Sequence, residues 1–197
     1  MSTIYTIGHS NHDIEAFIAL LRLHGVTAIA DVRSHPASRR FPQFDRKALK
    51  ASLETAGIQY VFLGEGLGAR PRDPACYTNG AADFNKIRAS GTFTEALARL
   101  QHGAQEFRIC LTCAERDPIE CHRTWLVAQT LHEGGHPIEH ILAEGGIEPH
   151  EQLLRRVAGT DFATASLFGD DAEVLKAAAK RQGERVAYRL EESGGEA

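Results

Sequence analysis

Short apolar runs rich in β-branched residues alternate with longer amphipathic stretches along most of the chain. Apolar runs of about four to eight residues, bounded by glycine or polar turns, are typical of buried strands, whereas apolar positions that recur every three or four residues are typical of helices. On these criteria the sequence predicts strands over 3–8, 26–32, 58–63, 107–113 and 137–142.

Apolar side chains recur at helical spacing between these runs. In the first such stretch Phe17, Leu20 and Leu21 share one face. Gly25 suits the end of this helix, and Ser10 or Asn11 suits its N-cap. The predicted helices are 13–25, 45–57 (with Asp45 as its cap and Gly57 as its stop), 92–103 and 122–135.

Strands that alternate with helices are typical of a parallel sheet covered on both faces. We therefore predict an α/β protein with a mostly parallel sheet of about five strands flanked by helices. From residue 146 the pattern changes, because two long stretches have helical character and the last residues, EESGGEA, are polar. The sequence thus predicts an α/β domain over 1–145 that carries the site. It also predicts a helical C-terminal extension over 146–197 that is not an independent domain.

The composition is that of an ordinary globular protein, with 43% hydrophobic and 24% charged residues in 197 positions. The formal net charge of −4 does not indicate a general nucleic-acid binder. No signal-peptide pattern opens the chain, and no apolar run approaches the roughly 18 residues needed to span a bilayer. We expect a soluble cytoplasmic protein with no membrane partner and mostly reduced thiols, while its oligomeric state stays open. The four cysteines are Cys76, Cys110, Cys113 and Cys121.

Ionisable and glycine residues follow four of the predicted strands. In a parallel sheet the carboxyl ends of the strands lie along one edge, which is where open α/β sheets bind their ligands. We therefore expect the four loops to share one crevice. The loops are GHSN (8–11), DVRSHPASRRFPQF (31–44), GEGLGARPRDP (64–74) and CAERDPIECHR (113–123).

The last of these loops fits three chemistries, of which metal binding is the one we expect least. Cys110 and Cys113 lie three apart in a predicted strand, so they should project to opposite faces. Cys121 and His122 are adjacent, which makes shared ligation awkward, and a second cysteine pair is missing. We expect neither a metal nor another cofactor.

Thiol chemistry is the second possibility, because Cys121 would lie near a helix N-terminus, which stabilises a thiolate. Cys113 would lie where the strand gives way to the loop. Either cysteine could instead be a small buried apolar residue. If the two sulfurs lie close enough to bridge, Cys113 and Cys121 could form a redox sensor.

Acid–base catalysis is the third possibility, since Glu115 and His122 can both move protons, and Asp31 could join them across the crevice. Arg33 and Arg123 could hold an anion in a planar fork. The alternative for Arg123 is an ion pair with Glu115 that ties the loop down.

The second loop favours an anionic ligand, because the consecutive Arg39 and Arg40 lie close in sequence to the aromatic residues Phe41 and Phe44. The third loop adds two arginines on a glycine-rich turn, although it is neither a dinucleotide fingerprint nor a phosphate-binding loop with its lysine. At the first strand end, His9 and Ser10 are further candidates. The two arginines of the third loop are Arg70 and Arg72.

Taken together, TIGHSN, DVRSHPASRRFPQF, GIQYVFLGEGLG and CAERDPIECHR resemble the domain-of-unknown-function 488 family, in the same order, over about residues 3 to 143. The resemblance implies a compact α/β domain with a site but no settled reaction. Ala69 departs from the family pattern, and Cys110 is not part of it. The motif positions map here to Gly8, His9, Ser10, Asp31, Arg33, Pro36, Ser38, Arg39, Pro42, Leu67, Gly68, Cys113, Glu115, Cys121, His122 and Arg123.

The residues as a whole favour an enzyme that acts on a phosphate-bearing ligand, a nucleotide or nucleic acid, and cleaves a glycosidic or phosphoester bond. A hydrolase or transferase fits better than an oxidoreductase, because no redox-cofactor motif is present. The alternatives are a binding module without turnover and the redox sensor. The catalytic candidates are Glu115, His122, Asp31, Cys121 and Cys113, and the ligand-binding candidates are His9, Ser10, Arg33, Arg39, Arg40 and Arg123.

Overall fold

A six-stranded sheet forms the centre of the protein in a computed structural model that describes residues 2–161 and 171–190. The strand order is β3-β2-β6-β1-β7-β8, and every neighbouring pair is parallel except the antiparallel pair of β7 and β8. The fold is therefore the predicted α/β class. The strands of this sheet are β1 (Ile4–Gly8), β2 (Ala28–Asp31), β3 (Gln59–Phe62), β6 (Ile109–Cys113), β7 (Ile138–Ile141) and β8 (Ile147–Pro149), and a separate small hairpin pairs β4 (Tyr77–Thr78) with β5 (Ala81–Ala82).

The four predicted helical spans are helical in the structure, with corrections at their ends, whereas the short helices over Gly64–Leu67 and Phe84–Arg88 were not predicted. The cap of the first helix is Asp13, whose carboxylate accepts from Ala16 N at 2.7 Å, and neither Ser10 nor Asn11 has that role. Gly25 ends it with a positive φ of 64°, as predicted. The α-helices are α1 (Ile14–Leu23), α2 (Arg46–Thr55), α3 (Gly64–Leu67), α4 (Phe84–Arg88), α5 (Gly91–Gly103), α6 (Gln129–Glu133), α7 (His150–Ala158) and α8 (Asp171–Val186), with 3-10 turns at Pro42–Phe44, Pro74–Cys76 and Pro118–Glu120.

Each face of the sheet has its own apolar core, because successive side chains of a strand point to opposite faces. In β6, Leu111 and Cys113 pack with α5 and the helical segment after residue 122, whereas Cys110 packs on the other face with α1 and α2. The prediction that Cys110 and Cys113 project to opposite faces is therefore confirmed.

The segment after residue 145 begins with a strand that the sequence analysis missed. β8 pairs with β7, with Ile141 opposite Ile147, so the boundary placed at 145 falls inside the sheet. α7 and α8 then pack against the side chain of Trp125. The described part of the extension beyond β8 thus contains two helices that pack onto the α/β domain, while residues 162–170 and the EESGGEA end lie outside the described residues. Within the described ranges no helix is long and apolar enough to cross a membrane.

The predicted helix 122–135 is two elements, since Arg123–Ala128 is a π-helix and α6 follows it. π-helical turns are rare in proteins, and those that occur are often found at functional sites. Hydrophobic spacing does not distinguish a π-turn from an α-turn, so this element could not be predicted from the hydrophobic pattern. It begins directly after Cys121 and His122 and therefore sets how the CHR stretch leaves the sheet edge.

A line of buried hydrogen bonds crosses the domain through two histidines. Thr6 Oγ1 lies 2.8 Å from His140 Nδ1, and His140 Nε2 lies 3.0 Å from His150 Nδ1. His150 Nε2 lies 2.8 Å from Gln129 Oε1, an acceptor, so it must donate there. This fixes each step: His150 Nδ1 accepts from His140, and His140 Nδ1 accepts from the Thr6 hydroxyl. Each donor in this line has an acceptor, and each acceptor a donor, only when the rings of His140 and His150 are both neutral.

This arrangement predicts that acid destabilises the protein. Burial lowers the pKa of His150 to about 3 and that of His140 well below its ordinary value. A histidine in the unfolded chain is protonated below about pH 6.5, whereas the buried rings in the folded protein stay neutral to a lower pH. Between these two pH values the unfolded state therefore binds more protons than the folded state. The stability that the neutral His150 contributes is complete above pH 6.5. Below it, we expect a loss of about 1.4 kcal/mol per pH unit from this ring.

Urea unfolding between pH 7.5 and 4.5 measures this slope. His150→Gln keeps polar groups at the position but cannot titrate, so its free energy of unfolding should fall less steeply over the same range. Equal slopes for the two proteins would contradict the assignment.

Candidate functional site

The loops after β1 and β6 meet at the switch point of the sheet. The chain leaves β1 toward β2 on one side and leaves β6 toward β7 on the other, and such points are where α/β sheets form crevices. His9 N donates to Cys113 O and Ser10 N donates to Ala114 O, both at 2.9 Å. A Cβ atom at Gly8 would overlap the carbonyl oxygen of Glu115. The two loops thus pack backbone to backbone.

Four donor side chains converge at the carboxyl end of β6: Cys113, Glu115, Cys121 and His122. Their ligand atoms all lie within 4.8 Å of one another. We call this set the donor cluster. Three of its members are buried, and the exposed member is the glutamate.

Specific contacts fix the orientation of the donor cluster. Cys121 Sγ lies 2.9 Å from Glu115 Oε2, and the backbone N–H of Arg123 donates to the same sulfur at 3.4 Å. His122 Nε2 lies 3.0 Å from Val32 O, so that nitrogen carries the proton and donates it. The other ring nitrogen, Nδ1, then turns its lone pair toward the sulfurs, at 3.6 Å from Cys113 and 4.0 Å from Cys121.

This geometry removes one reason for expecting no metal here. Cys121 and His122 are adjacent in sequence, yet their donor atoms point to the same spot. The 3-10 turn Pro118–Glu120 leads into an extended Cys121 (φ −133°, ψ 138°), whereas His122 is already helical, and this change of backbone direction brings the two side chains together. Cys110 is fully buried on the opposite face and has no part in the site.

Proton affinities within the donor cluster diverge. Burial raises the pKa of Cys113 well above its ordinary value, and its hydrogen bond with Cys121 adds to the rise. Burial also opposes ionisation of Cys121, but the hydrogen bond from Cys113 and the charge of Arg123 outweigh it, so the pKa of Cys121 falls well below that of an ordinary thiol.

The other two members bind protons more tightly than usual. Burial of its carboxylate raises the pKa of Glu115, and the negative charge of Cys121 raises it further, even though the residue as a whole is exposed. Burial works against protonation of His122, but its hydrogen bond with Cys121 prevails and its pKa is raised. Negative charge therefore collects on Cys121.

Arg123 stabilises the loop after β6 through hydrogen bonds to its backbone. Its side chain is fully buried, with Nη1 donating to Glu115 O at 2.6 Å and Nη2 to Arg116 O at 3.4 Å, while Nε approaches Thr6 Oγ1 at 3.4 Å. Arg123 donates to the backbone carbonyl of Glu115 and not to its carboxylate. The Arg123–Glu115 ion pair considered in the sequence analysis is therefore not formed. The prediction that Arg123 contacts a ligand has no support in this geometry.

Arg33 is buried and largely committed to protein groups. Its Nε and Nη2 donate to the two carboxylate oxygens of Asp31 at 2.9 and 2.7 Å, and its Nη1 donates to Phe44 O at 2.9 Å and to His9 Nε2 at 3.1 Å. Tyr60 also donates to Asp31, at 2.8 Å. Asp31 is therefore a fully buried anchor beneath Arg33, and it is not a free acid beside the donor cluster as the sequence analysis expected.

His9, in the first loop, connects that loop to Arg33 and Phe44 of the second loop. Its ring stacks on Phe44 with centroids 4.2 Å apart, and its Nδ1 lies 3.1 Å from Ser10 O. Burial lowers the pKa of His9 to about 4, and the charge of Arg33 lowers it too, so the ring is neutral at pH 7 and accepts from Arg33. His9 thus positions the arginine and is not poised to transfer protons.

A cleft of about 450 Å³ opens beside the donor cluster. Ala114, which belongs to the loop that carries the cluster, forms part of its wall. The candidates His9, Ser10, Arg33 and Arg40 all line this cleft, as do Asn11, His35, Ala37, Ser38 and Phe41.

The predicted arginines differ in their placement. Arg40 lines the cleft, with its guanidinium 5.3 Å from the ring centre of Phe41, whereas its neighbour Arg39 is exposed and is not among the lining residues. Arg70 stacks on Tyr188 of the C-terminal segment, at 4.4 Å, away from this wall. Arg40 is therefore the exposed cation best placed for an anion in the cleft.

A larger cavity, of about 630 Å³, lies elsewhere, between α4, the π-helix and α8. Its lining includes Arg88, Glu133 and Lys180, but none of the candidate residues. We assign the site to the smaller cleft because four of the ligand-binding candidates line it, and because Ala114 of its wall belongs to the loop that carries the donor cluster, although no member of the cluster itself lines the cleft.

Sequence reasoning missed two side chains that shape the site: Tyr60 binds Asp31, and His35 lines the cleft. Phe44 was named as an aromatic ring of the second loop, but it is buried and stacks on His9. The signal for His35 was its place in the second loop. No local signal marked Tyr60, because its contact depends on the pairing of β2 with β3.

The fold and these contacts define an α/β protein with a polar cleft and a thiol–imidazole–carboxylate cluster at its switch point. The chain matches the family model described as "Domain of unknown function DUF488" over residues 13–130, more than half its length, and it belongs to that family. The matched range takes in the second, third and fourth loops but not 8–11. No curated protein and no solved structure matches the chain.

Proposed function

We propose that the protein is an enzyme, a hydrolase or transferase, that cleaves a phosphoester or glycosidic bond in a phosphate-bearing ligand such as a nucleotide or nucleic acid. One observation carries this proposal: a cleft with two arginines in its wall lies beside the donor cluster, and the two share the loop after β6. All four cysteines are free thiols, which suits the cytoplasmic location that we also propose.

The wall of the cleft favours an anionic ligand. Arg33 is held by Asp31 but keeps one N–H of Nη2 uncommitted by the contacts described, and Arg40 is free to turn toward a phosphate. Phe41 beside Arg40 offers a surface on which a base can stack. Loop 31–44 is tied down, since Ser38 N donates to Asp45 and Arg46 N donates to Pro36 O. A fixed wall reduces the entropy lost on binding.

Acid–base chemistry fits the cluster better than attack by a thiolate. Cys121 is 1% exposed, and the carboxylate of Glu115 covers its sulfur at 2.9 Å. A nucleophile must reach the reacting atom. Glu115 is the exposed member of the donor cluster and directly follows Ala114 of the cleft wall, so we propose that it meets the bound ligand. In a hydrolysis, Glu115 would take the proton of the attacking water, and the leaving oxygen or nitrogen would be protonated in its turn.

The redox sensor stays a second candidate because the sulfurs of Cys113 and Cys121 lie within 4.8 Å of each other. It predicts a disulfide under mild oxidation and no turnover. The binding module predicts ligand affinity without turnover.

The test pairs two neighbouring arginines and one carboxylate. We expect Arg40→Ala to weaken binding of a single-stranded oligonucleotide and to flatten the dependence of log K on log salt by about 0.7, the value for one lost phosphate contact. Arg39→Ala is the matched control and should change this slope little, because Arg39 does not line the cleft. Glu115→Gln should keep the binding and lose turnover in a screen of phosphoesters and N-glycosides.

Equal effects of the two alanine variants would remove the ligand assignment. Turnover that persists in the Glu115→Gln protein would remove the acid–base role, and wild-type binding without turnover would favour the binding module.

A further inference from the structure

We propose that the donor cluster binds one divalent metal ion of the zinc class. The metal site itself is inferred from the four side chains alone, and its use in catalysis rests on the function proposed above.

The spacing of the donor atoms suits a tetrahedral ion. In a zinc site with Zn–S near 2.3 Å and Zn–N near 2.0 Å, a sulfur and a nitrogen are separated by about 3.5 Å. The separations from His122 Nδ1 are 3.6 Å to Cys113 and 4.0 Å to Cys121. The contact of Cys121 with Glu115, at 2.9 Å, is the one that must lengthen, and the glutamate is the exposed member.

The imidazole has the support that metal-bound histidines have. Such a histidine donates its second ring N–H to a carbonyl or carboxylate, which fixes the tautomer and directs the free lone pair at the ion. His122 donates Nε2–H to Val32 O and presents Nδ1 to the sulfurs.

The donor types select the kind of ion. Two sulfurs with one imidazole favour zinc and similar ions, whereas magnesium and calcium favour oxygen ligands. Two thiolates and a carboxylate would leave a divalent ion with net negative charge. The buried guanidinium of Arg123, which lowers the pKa of Cys121 by its charge, offsets part of it.

The exposure of Glu115 suggests how the site would open. Catalytic zinc sites keep three protein ligands and one exchangeable position, and one cysteine-rich form has two cysteines and a histidine. Cys113, Cys121 and His122 are buried and would be the constant ligands. Water or a phosphate oxygen would replace Glu115 as the fourth ligand. The displaced carboxylate would then lie next to this new ligand.

The experiment measures metal binding with the metal alone. Full-length protein is freed of metal with a chelator and titrated with cobalt(II) chloride without oxygen. We expect one Co²⁺ per chain, with the strong absorption bands of thiolate-bound tetrahedral cobalt, and displacement by Zn²⁺. Cys113→Ser and Cys121→Ser should each weaken binding by more than about tenfold, the least that loss of a supporting contact costs. Cys110→Ala, the matched control on the same strand, should bind as the wild type does.

A Glu115→Ala protein should keep the thiolate bands and bind more weakly. If a serine variant does not fold by circular dichroism, X-ray absorption of the wild-type cobalt protein decides instead, with two sulfur neighbours expected. Failure of the wild type to bind cobalt or zinc overturns the proposal, as does bound metal without sulfur neighbours. Metal binding without any turnover would leave the metal site intact and remove the proposed function. Turnover by metal-free protein would leave the proposed function intact and remove the metal's role in catalysis.

Discussion

Gly8→Ala should destabilise the protein by on the order of 3–5 kcal/mol and abolish the site, because overpacking and the loss of a charged hydrogen bond act together. The added Cβ would overlap the carbonyl oxygen of Glu115 and lie 2.7 Å from its carbon. That oxygen cannot simply retreat, since Arg123 holds it at 2.6 Å and the neighbouring residues are bonded to His9 and Ser10. Urea unfolding and oligonucleotide binding would show both effects.

Gly91→Ala is the matched control for this change. Gly91 begins α5, and a Cβ there meets nothing within 4 Å. Alanine favours helices over glycine, so this variant should be as stable as the wild type or more stable by up to about 1 kcal/mol. A Gly8→Ala protein of wild-type stability would mean that the loop after β6 can move away from β1.

Asp31→Asn should cost about 3–5 kcal/mol, the usual result of leaving one charge of a buried pair uncompensated. Asp31 is fully buried and Arg33 is 5% exposed, so water cannot replace the lost carboxylate. The asparagine amide has the same size, but its N–H groups would face donors of Arg33 or Tyr60. Thermal unfolding should shift downward by on the order of 10 °C.

Tyr60→Phe provides the comparison, because it removes one hydrogen bond to the same carboxylate and leaves both charges in place. It should cost about 1–2 kcal/mol. An Asp31→Asn protein no less stable than Tyr60→Phe would show that the ion pair adds little. Ligand binding should fall in Asp31→Asn, because Arg33 in the wall of the cleft loses its support.

The hydrophobic pattern was sufficient for five strands, because each is a short apolar run between turns. It was not sufficient for β8, whose three residues Ile147–Pro149 are partly polar and include a proline. The π-helix was invisible for a different reason: it differs from an α-helix in its backbone hydrogen bonds and not in which residues face the core.

The ends of the predicted strands were sufficient to locate the site, but they did not show the directions in which its side chains point. Glu115, His122 and the two cysteines were identified because they follow β6, yet the sequence did not show that their donor atoms meet at one point. Asp31 and Arg123 were identified too, but both point inward. Whether an arginine meets a ligand or a backbone carbonyl depends on where neighbouring loops pass, and that is a property of the assembled sheet.

The position of β1 in the middle of the sheet has a consequence for how the chain is made. β1 is synthesised before both of its neighbours in the sheet, since Tyr5 pairs with Cys110 on one side and with Glu139 on the other. At ribosomal rates its partners follow on the order of 10 s later, and closing such long loops slows folding. Through that interval the apolar IYTIG strand has no neighbour, so it is the segment most in need of a chaperone, and a chain cut before β6 leaves it exposed.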